Sequence, residues 1–184
     1  MKRFFALTGL LFAFSCAPMV CPEGSKLSKE YLVSSAPSSY TADLSVRYGL
    51  LRIPIKVVKE GNQFVVEGQG KSYQVDLNSL CFGPTCIDLP VNPDGIIFGK
   101  LLRGEEKVQC GLGGVAFERD DGAFFSRFLF KEGKPYMAEF FDKKKDSKVV
   151  LEYLDWSKEG YAKALRVSTG ELTFIITVDS LRRF

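Results

Sequence analysis

Residues 38–49 read SSYTADLSVRYG, and this stretch decides the fold class. Apolar and polar residues alternate in it, and one face carries Tyr40, Ala42, Leu44, Val46 and Tyr48. A period of two is typical of a β-strand with one buried face. The alternation breaks at Gly49 and resumes in residues 51–57, LRIPIKV, where Pro54 indicates an edge or a bulge. The two runs together predict the first hairpin of an antiparallel sheet.

Short runs of the same kind fill the remainder of the chain. They predict strands at 64–67, 73–77, 108–110, 115–119, 124–131, 136–141, 149–155, 162–169 and 172–179. The spacing of parallel βαβ units is absent, and tight turns separate the runs. The sequence therefore predicts a mainly β protein, built as one strongly curved antiparallel sheet. We expect an open half-barrel of about eleven strands, with one or two short helices in its concavity; a closed barrel is the alternative.

Two stretches differ from this strand pattern. Residues 26–35 predict a short helix, with Ser25 as its N-cap and Pro37 beyond its end. Residues 96–104, IIFGKLLRG, predict another helix that ends at Gly104. This second segment either plugs the open side of the sheet or forms a loop that touches a membrane or an acyl chain. In the loop interpretation the exposed apolar residues are Ile96, Ile97, Phe98 and Leu101.

The first sixteen residues, MKRFFALTGLLFAFSC, have the layout of an export signal, with two cations before an apolar run. The run is too short to cross a bilayer, which takes about 20 apolar residues. A signal that ends at a cysteine resembles the bacterial lipoprotein signal, in which Cys16 would be acylated; cleavage after Ser15 by an ordinary signal peptidase is the alternative. We expect a signal at 1–15, a tether at 16–25 and one domain at 26–184.

The chain has five cysteines, and acylation of Cys16 would leave four. In an oxidising compartment four cysteines can form two disulfides. Cys81 and Cys86 bracket a turn-forming stretch and are the favoured local pair, which leaves Cys21 and Cys110 to tie the tether to the body. Free buried thiols remain an alternative. A metal site is disfavoured by the spacing and by the absence of histidine.

The composition offers little support for catalysis. The 184 residues include no histidine, so a Ser-His or Cys-His nucleophile pair is impossible. Removal of Lys2 and Arg3 with the signal lowers the formal net charge from +3 to +1, which gives no electrostatic reason to expect nucleic acid as a partner. We expect neither an enzyme nor a cofactor, although an enzyme that uses carboxylates or a thiol is a weaker alternative.

Several predicted strands carry apolar residues on both faces, as in residues 124–130, FFSRFLF. Such a strand must be covered on both sides or must line a cavity. Core packing is one interpretation, and a cavity for acyl chains or another hydrophobic ligand is the other. The candidate ligand-binding residues are Leu44, Val46, Ile55, Val57, Phe128, Phe130 and Phe140.

The mature chain resembles the LolA/LolB-like proteins of the lipoprotein-localisation system. The resemblance rests on the signal and on the order of three stretches: SSYTADLSVRYG at 38–49, LPVNPDGIIFGKLLRGEE at 89–106, and VVLEYLDW with GYAKALRV within 149–167. It implies a curved sheet that accepts the acyl chains of lipoproteins, a periplasmic carrier protein as partner, and a protruding apolar loop in one type of member. The cysteines at 81 and 86 depart from the family pattern.

This resemblance implies a protein anchored by lipid in the bacterial cell envelope. Ala17 follows Cys16, in place of the aspartate that retains lipoproteins at the inner membrane in some bacteria, so we expect the outer membrane, facing the periplasm. The expected function is acyl-chain binding in lipoprotein or lipid transfer. A structural or assembly lipoprotein that binds a protein partner without a lipid ligand is the alternative.

Overall fold

The computed structural model describes residues 21–74, 79–82, 85–88, 91–111 and 113–184, with the backbone alone for 71–88. Its helices are α1 (Pro22–Glu30), a 3-10 turn (Val33–Ser35) and α2 (Pro93–Phe98). The strands before α2 are β1 (Ser39–Tyr48), β2 (Leu51–Glu60), β3 (Gln63–Gly68), β4 (Lys71–Gln74), β5 (Ser79–Phe82) and β6 (Thr85–Asp88). Those after it are β7 (Lys107–Gly111), β8 (Gly114–Asp120), β9 (Phe124–Lys131), β10 (Lys134–Asp142), β11 (Ser147–Trp156), β12 (Ala162–Thr169) and β13 (Leu172–Arg183).

Eleven strands form one antiparallel sheet in the order β4-β3-β2-β1-β13-β12-β11-β10-β9-β8-β7. Within β1–β4 and within β7–β13, strands that are consecutive in sequence are neighbours in the sheet, whereas β4 and β7 lie at its two edges. β13 pairs with β1 and so brings the last strand beside the first. β5 and β6 form a separate hairpin. The prediction of a mainly β protein with a curved, open antiparallel sheet and two short helices is confirmed.

The turns of this meander lie alternately at two ends of the sheet. The end of the sheet that carries the turns at 61–62, 132–133 and 157–161 is called the first end. At that end, Gly61 donates its N–H to Ser38 O and Arg183 donates to Glu159 O. The opposite end, which carries the turns at 49–50, 121–123, 143–146 and 170–171, is called the second end.

The concave face of the sheet is the core. Every second residue of the long strands points into it, as the alternation in sequence predicts. β1 contributes Tyr40, Ala42, Leu44 and Val46, and β9 contributes Phe128 and Phe130. All six residues of α2, together with Leu101 and Leu102, are buried against this face, so the core is a sheet covered by a short inner segment.

The predicted helix at 26–35 is wrong in its bounds. α1 begins at Pro22, a residue type well suited to the first helical position because it lacks an N–H and has a fixed φ. α1 ends at Glu30 because the chain then pairs with the segment after α2: Val33 N donates to Leu102 O over 2.8 Å. Residues 22–25 of the predicted tether are thus helical. Among the described residues, no helix is long and apolar enough to cross a membrane.

Candidate ligand-binding site

The seven residues predicted to bind a ligand all lie on the concave face. Leu44, Val46, Ile55 and Val57 form one group on β1 and β2, and Phe128, Phe130 and Phe140 form another on β9 and β10. Three strands, β13, β12 and β11, separate the two groups in the sheet. All seven are buried, so the structure brings them to one apolar surface, and ligand binding by them remains a prediction.

The aromatic group on the β9 side is closely packed. The Phe117 and Phe130 rings meet edge to face with their centroids 5.2 Å apart, and those of Phe128 and Phe140 lie 5.8 Å apart. Tyr31 of the segment after α1 covers this group, because its ring lies 5.1 Å from that of Phe130. These contacts join the helix layer to the sheet.

The segment at 96–101 lies in the core and not on the surface. Ile96, Ile97, Phe98 and Leu101 are all buried, so the expectation that these four residues are exposed in a membrane or acyl loop is wrong. The structure agrees with the other interpretation, in which this segment plugs the open side of the sheet. The physical reason is that α2 starts and stops within the concavity: Asn92 caps its N-terminus by accepting from Gly95 N over 3.0 Å, and Gly99 ends it at φ 65°.

Position 99 requires a glycine, both because its φ is positive and because there is no room for a side chain. A Cβ atom at this position would lie 2.5 Å from Pro135 Cγ and 3.1 Å from the Trp156 ring. The inner segment therefore passes close against β10 and β11 where it leaves α2. This close approach fixes the direction in which the chain continues to Leu101.

A buried polar group holds α2 to the sheet. Lys59 of β2 donates to Asp94 Oδ2 over 2.7 Å, and the Tyr40 hydroxyl of β1 donates to Asp94 Oδ1 over 3.0 Å. Side-chain exposure is 7% for Lys59 and 3% for Asp94. The Tyr153 hydroxyl of β11 donates to the Gly95 carbonyl over 2.6 Å. Three strands thus contact the first turn of α2 through polar atoms.

Burial sets the protonation of this group. Burial raises the pKa of the Asp94 carboxyl, while the hydrogen bonds and charge of Lys59 and the hydroxyl of Tyr40 act in the opposite direction. Burial also raises the pKa values of the Tyr40 and Tyr153 hydroxyls. Both tyrosines are therefore neutral hydrogen-bond donors throughout the physiological pH range.

A second buried ion pair fixes the chain after α2. Arg119 of β8 donates to Glu106 Oε1 over 2.6 Å and to the Leu101 carbonyl over 3.4 Å. Glu106 also accepts from the backbone N–H groups of Arg103 and Gly104. Desolvation acts to raise the pKa of the Glu106 carboxyl, but these hydrogen bonds outweigh it and hold the pKa below its usual value. The Arg119 guanidinium lies 5.2 Å from the centroid of the Phe128 ring.

An exposed apolar tip, missed by the sequence prediction, lies at the second end of the sheet. Leu50 has a relative exposure of 107% in the turn between β1 and β2, and the paired residues Tyr48 and Leu51 beside it are also exposed. The next cross-strand pair is Arg47 opposite Arg52. The signal in the sequence was RYGLLR, a turn that carries two leucines where polar turn residues are usual.

One predicted cysteine pair is described. A disulfide joins Cys21, immediately before α1, to Cys110 of β7 with Cα atoms 6.1 Å apart, and it closes a loop of 89 residues. Cys81 lies opposite Cys86 in the β5–β6 register, but their side chains are outside the described residues, as is Cys16. Among the residues that the structure describes, no group of three or more His, Cys, Asp or Glu side chains could hold a metal ion.

A surface cleft of about 710 Å³ adjoins the β1–β2 group of predicted ligand residues. Leu44 and Ile55 line it together with charged side chains that include Asp43, Lys56 and Glu67. Its volume lies in the range of ligand pockets, about 300–1,000 Å³. The charged lining residues alternate with Leu44 and Ile55 along β1 and β2, and both apolar side chains are buried, so the cleft lies on the side of the sheet opposite the apolar surface.

The fold is LolA-like. A crystal structure of a LolA superfamily protein from Nitrosomonas europaea matches it with a TM-score of 0.51 over 86% of this chain and 91% of that chain. The two sequences are 12% identical, so the likeness concerns the fold. No known family profile matches the chain, and no curated protein matches its sequence.

Proposed function

We propose that this protein is a lipid-anchored protein of the bacterial cell envelope that binds acyl chains, in the transfer of lipoproteins or lipids to the outer membrane. The observation that carries the proposal is the LolA-like sheet, whose apolar concave face is covered by a helix of only six residues. The ligand would replace α2 and Leu101 on the buried side chains of β1, β2, β9 and β10. The partner that delivers the ligand would be a periplasmic carrier.

The leucine tip supports a contact between the protein and a membrane. Two leucines and a tyrosine at the apex can enter the interfacial region, while the Arg47–Arg52 pair meets anionic headgroups. Arg52 also pairs with Asp179 of β13 over 3.4 Å, so part of the positive charge at the tip is already balanced in the free protein. In this proposal the tip takes the role that the sequence assigned to residues 96–101.

The disulfide between Cys21 and Cys110 lies at the end of the sheet opposite to the tip. Cys110 is next to the last residue of β7, whose turn to β8 lies at the first end, and the disulfide holds Cys21 there. Cys16 precedes Cys21 by five residues, which span at most about 18 Å. The ten residues of β1 extend about 33 Å from the first end to the second. The tip can therefore be tested independently of the anchor.

A structural or assembly protein without a lipid ligand is the second candidate. The observation that favours it is the dense burial of α2, Leu101 and Leu102, which makes the concavity a filled core. In that case a protein partner would bind the outer surface.

Native mass spectrometry of the exported protein with Cys16→Ser, purified without detergent, separates the two candidates. Acyl-chain binding predicts a co-purifying acylated species or stoichiometric uptake of an added diacylated lipopeptide. Leu44→Glu, at the cleft, should weaken uptake at least tenfold. The matched control Leu154→Glu, exposed on β11, should have no effect. No acylated species and no uptake would refute the proposal and favour the second candidate.

Flotation with phosphatidylglycerol vesicles tests the tip in the same Cys16→Ser protein. Leu50→Glu should reduce the bound fraction severalfold with no change in melting temperature, because Leu50 makes no buried contact to lose. Leu154→Glu again serves as the control. Equal flotation of both variants and the parent would exclude the tip as the membrane contact.

A further inference from the structure

Lys59 is a charged residue on the buried face of β2, at a position where the alternation along the strand would otherwise place an apolar side chain. Ile55 and Val57 precede it on the concave face of β2, and the Phe64 ring lies 5.3 Å from its ammonium group. Its one described counter-charge, Asp94, belongs to α2 and not to the sheet. The cation is thus part of the fixed wall, and the anion is part of the segment that covers the wall.

The geometry around Asp94 is that of a carboxylate receptor. Each carboxylate oxygen has its own donor, Lys59 Nζ for Oδ2 and the Tyr40 hydroxyl for Oδ1. Both donors come from neighbouring strands, and the ladder pairs Tyr40 directly with Lys59. Their relative position is therefore set by the sheet and does not depend on α2.

Stability alone does not require this pair. Exchange of a buried ion pair for apolar side chains of similar volume is often neutral or stabilising, because desolvation of the charges is costly. The remaining contacts of α2 are with a wall of aliphatic and aromatic side chains that would accept such residues. In the proposed function, the sheet that carries Lys59 and the α2 segment that carries Asp94 separate when a ligand enters. Lys59 and Tyr40 would then be left as a site that an anionic group of the ligand can occupy.

We infer that the acyl ligand of this protein carries an anionic group, a carboxylate or a phosphate, which takes the place of Asp94 between Lys59 and Tyr40 when the chain enters the concavity. This inference rests on the proposed function and narrows its substrate class. It favours a fatty acid or an anionic phospholipid over the triacylated N-terminus of a lipoprotein, which has no such group. A neutral lipid would leave the Lys59 ammonium buried without a partner, at a large cost.

The test compares ligands that share one palmitoyl chain and differ in the charge and chemistry of the head group. Monopalmitoylglycerol, its phosphate ester palmitoyl-lysophosphatidate, and palmitate compete with the neutral dye Nile red on the exported Cys16→Ser protein. We expect one or both anionic lipids to bind at least tenfold tighter than monopalmitoylglycerol. The lysophosphatidate and palmitate arms distinguish a phosphate from a carboxylate. Lys59→Met should lower the ratio of affinities about tenfold, and the control Lys163→Met, at an exposed position of β12, should leave it unchanged.

Asp94→Asn adds a readout that a merely structural role would not move. It removes the competing carboxylate but keeps the size of the side chain, so affinity for the anionic lipid should rise more than affinity for monopalmitoylglycerol. Tyr40→Phe keeps the ring packing and should lower the anionic preference, which covers the case in which Lys59→Met fails to fold. Equal affinity for charged and neutral lipids, or a ratio unchanged by both Lys59→Met and Tyr40→Phe, would overturn the inference and leave acyl binding intact. Binding of the diacylated lipopeptide without binding of any of the three lipids would also overturn the inference, whereas failure of the three lipids and of the lipopeptide would instead refute the proposed function.

Discussion

Removal of the Asp94 carboxylate should destabilise the protein strongly. Asp94→Ala leaves the Lys59 ammonium, 7% exposed and 2.7 Å from its former partner, without a counter-charge or free access to water. Loss of one member of a buried ion pair costs about 3–5 kcal/mol. The mutant also loses the hydrogen bond from Tyr40, about 1 kcal/mol. Because domains have about 5–15 kcal/mol of stability, this loss is a large fraction of the total.

The double variant Lys59→Met with Asp94→Leu should recover most of this loss. Both charges are then absent, and the apolar replacements meet a wall of buried aliphatic and aromatic side chains. We expect the double variant to be within about 1–2 kcal/mol of the parent. With Lys59→Met and Asp94→Leu as the two single variants, the coupling energy of the cycle should exceed about 2 kcal/mol.

Urea denaturation at pH 7 with the disulfide intact measures the free energies of unfolding for all members of the cycle. Hydrogen exchange resolves whether α2 opens locally, because the N–H groups of Ile96, Gly99 and Lys100 bond within the α2 segment. In Asp94→Ala these amides should exchange before the central strands. A loss below about 1 kcal/mol in Asp94→Ala, or additive effects in the double variant, would refute the view that the ion pair holds α2.

Three further predictions concern other parts of the fold. Reduction, or replacement of Cys21 and Cys110 by serine, should cost up to about 4.6 kcal/mol in urea denaturation, the chain-entropy value for a loop of 89 residues. Phe128→Ala, in the centre of the core, should cost about 3–5 kcal/mol, whereas Phe125→Ala on the opposite face of β9 should cost well under 1. The pKa of Glu106 is lower in the folded protein than its value of 4.5 in the unfolded chain, so its ionisation stabilises the fold above pH 4.5. The parent should therefore lose stability as pH falls below about 4.5, and Glu106→Gln should flatten this dependence of the free energy of unfolding on pH.

The sheet could be predicted because each long strand repeats one local pattern. The alternation that begins at Tyr40 gives both the strand and its buried face, since a shift by one residue would expose every apolar side chain. The short turns predict that consecutive strands pair, but they do not predict the pairing of β1 with β13, which joins residues far apart in the chain. The same alternation is sufficient to assign Phe128 and Phe140 to the concave face, although a face does not indicate whether it binds a ligand.

The inner segment was harder to predict because its structure depends on distant contacts. The sequence of Ile96, Ile97 and Phe98 is consistent with both a buried plug and an exposed loop, and only the sheet decides between them. Lys59 and Asp94 are 35 residues apart, so their pairing leaves no local signal. A retrospective signal is that Lys59 stands at an inward position of β2, where a charge needs a buried partner. α1 shows the same limit, since its end is set by pairing with Leu102.

The disulfide also determines how the protein would respond to mechanical force. A pull between Cys21 and the C-terminus would pass through the sulfur bridge directly to Cys110, so residues 22–109 would carry no load. Only the 74 residues after Cys110 could then extend, for a contour length of about 270 Å. After reduction all 163 residues beyond Cys21 could extend, to about 590 Å. The bridge therefore leads the covalent path of the force past α1, α2 and the first six strands, so that the force enters the sheet at β7 and at β13.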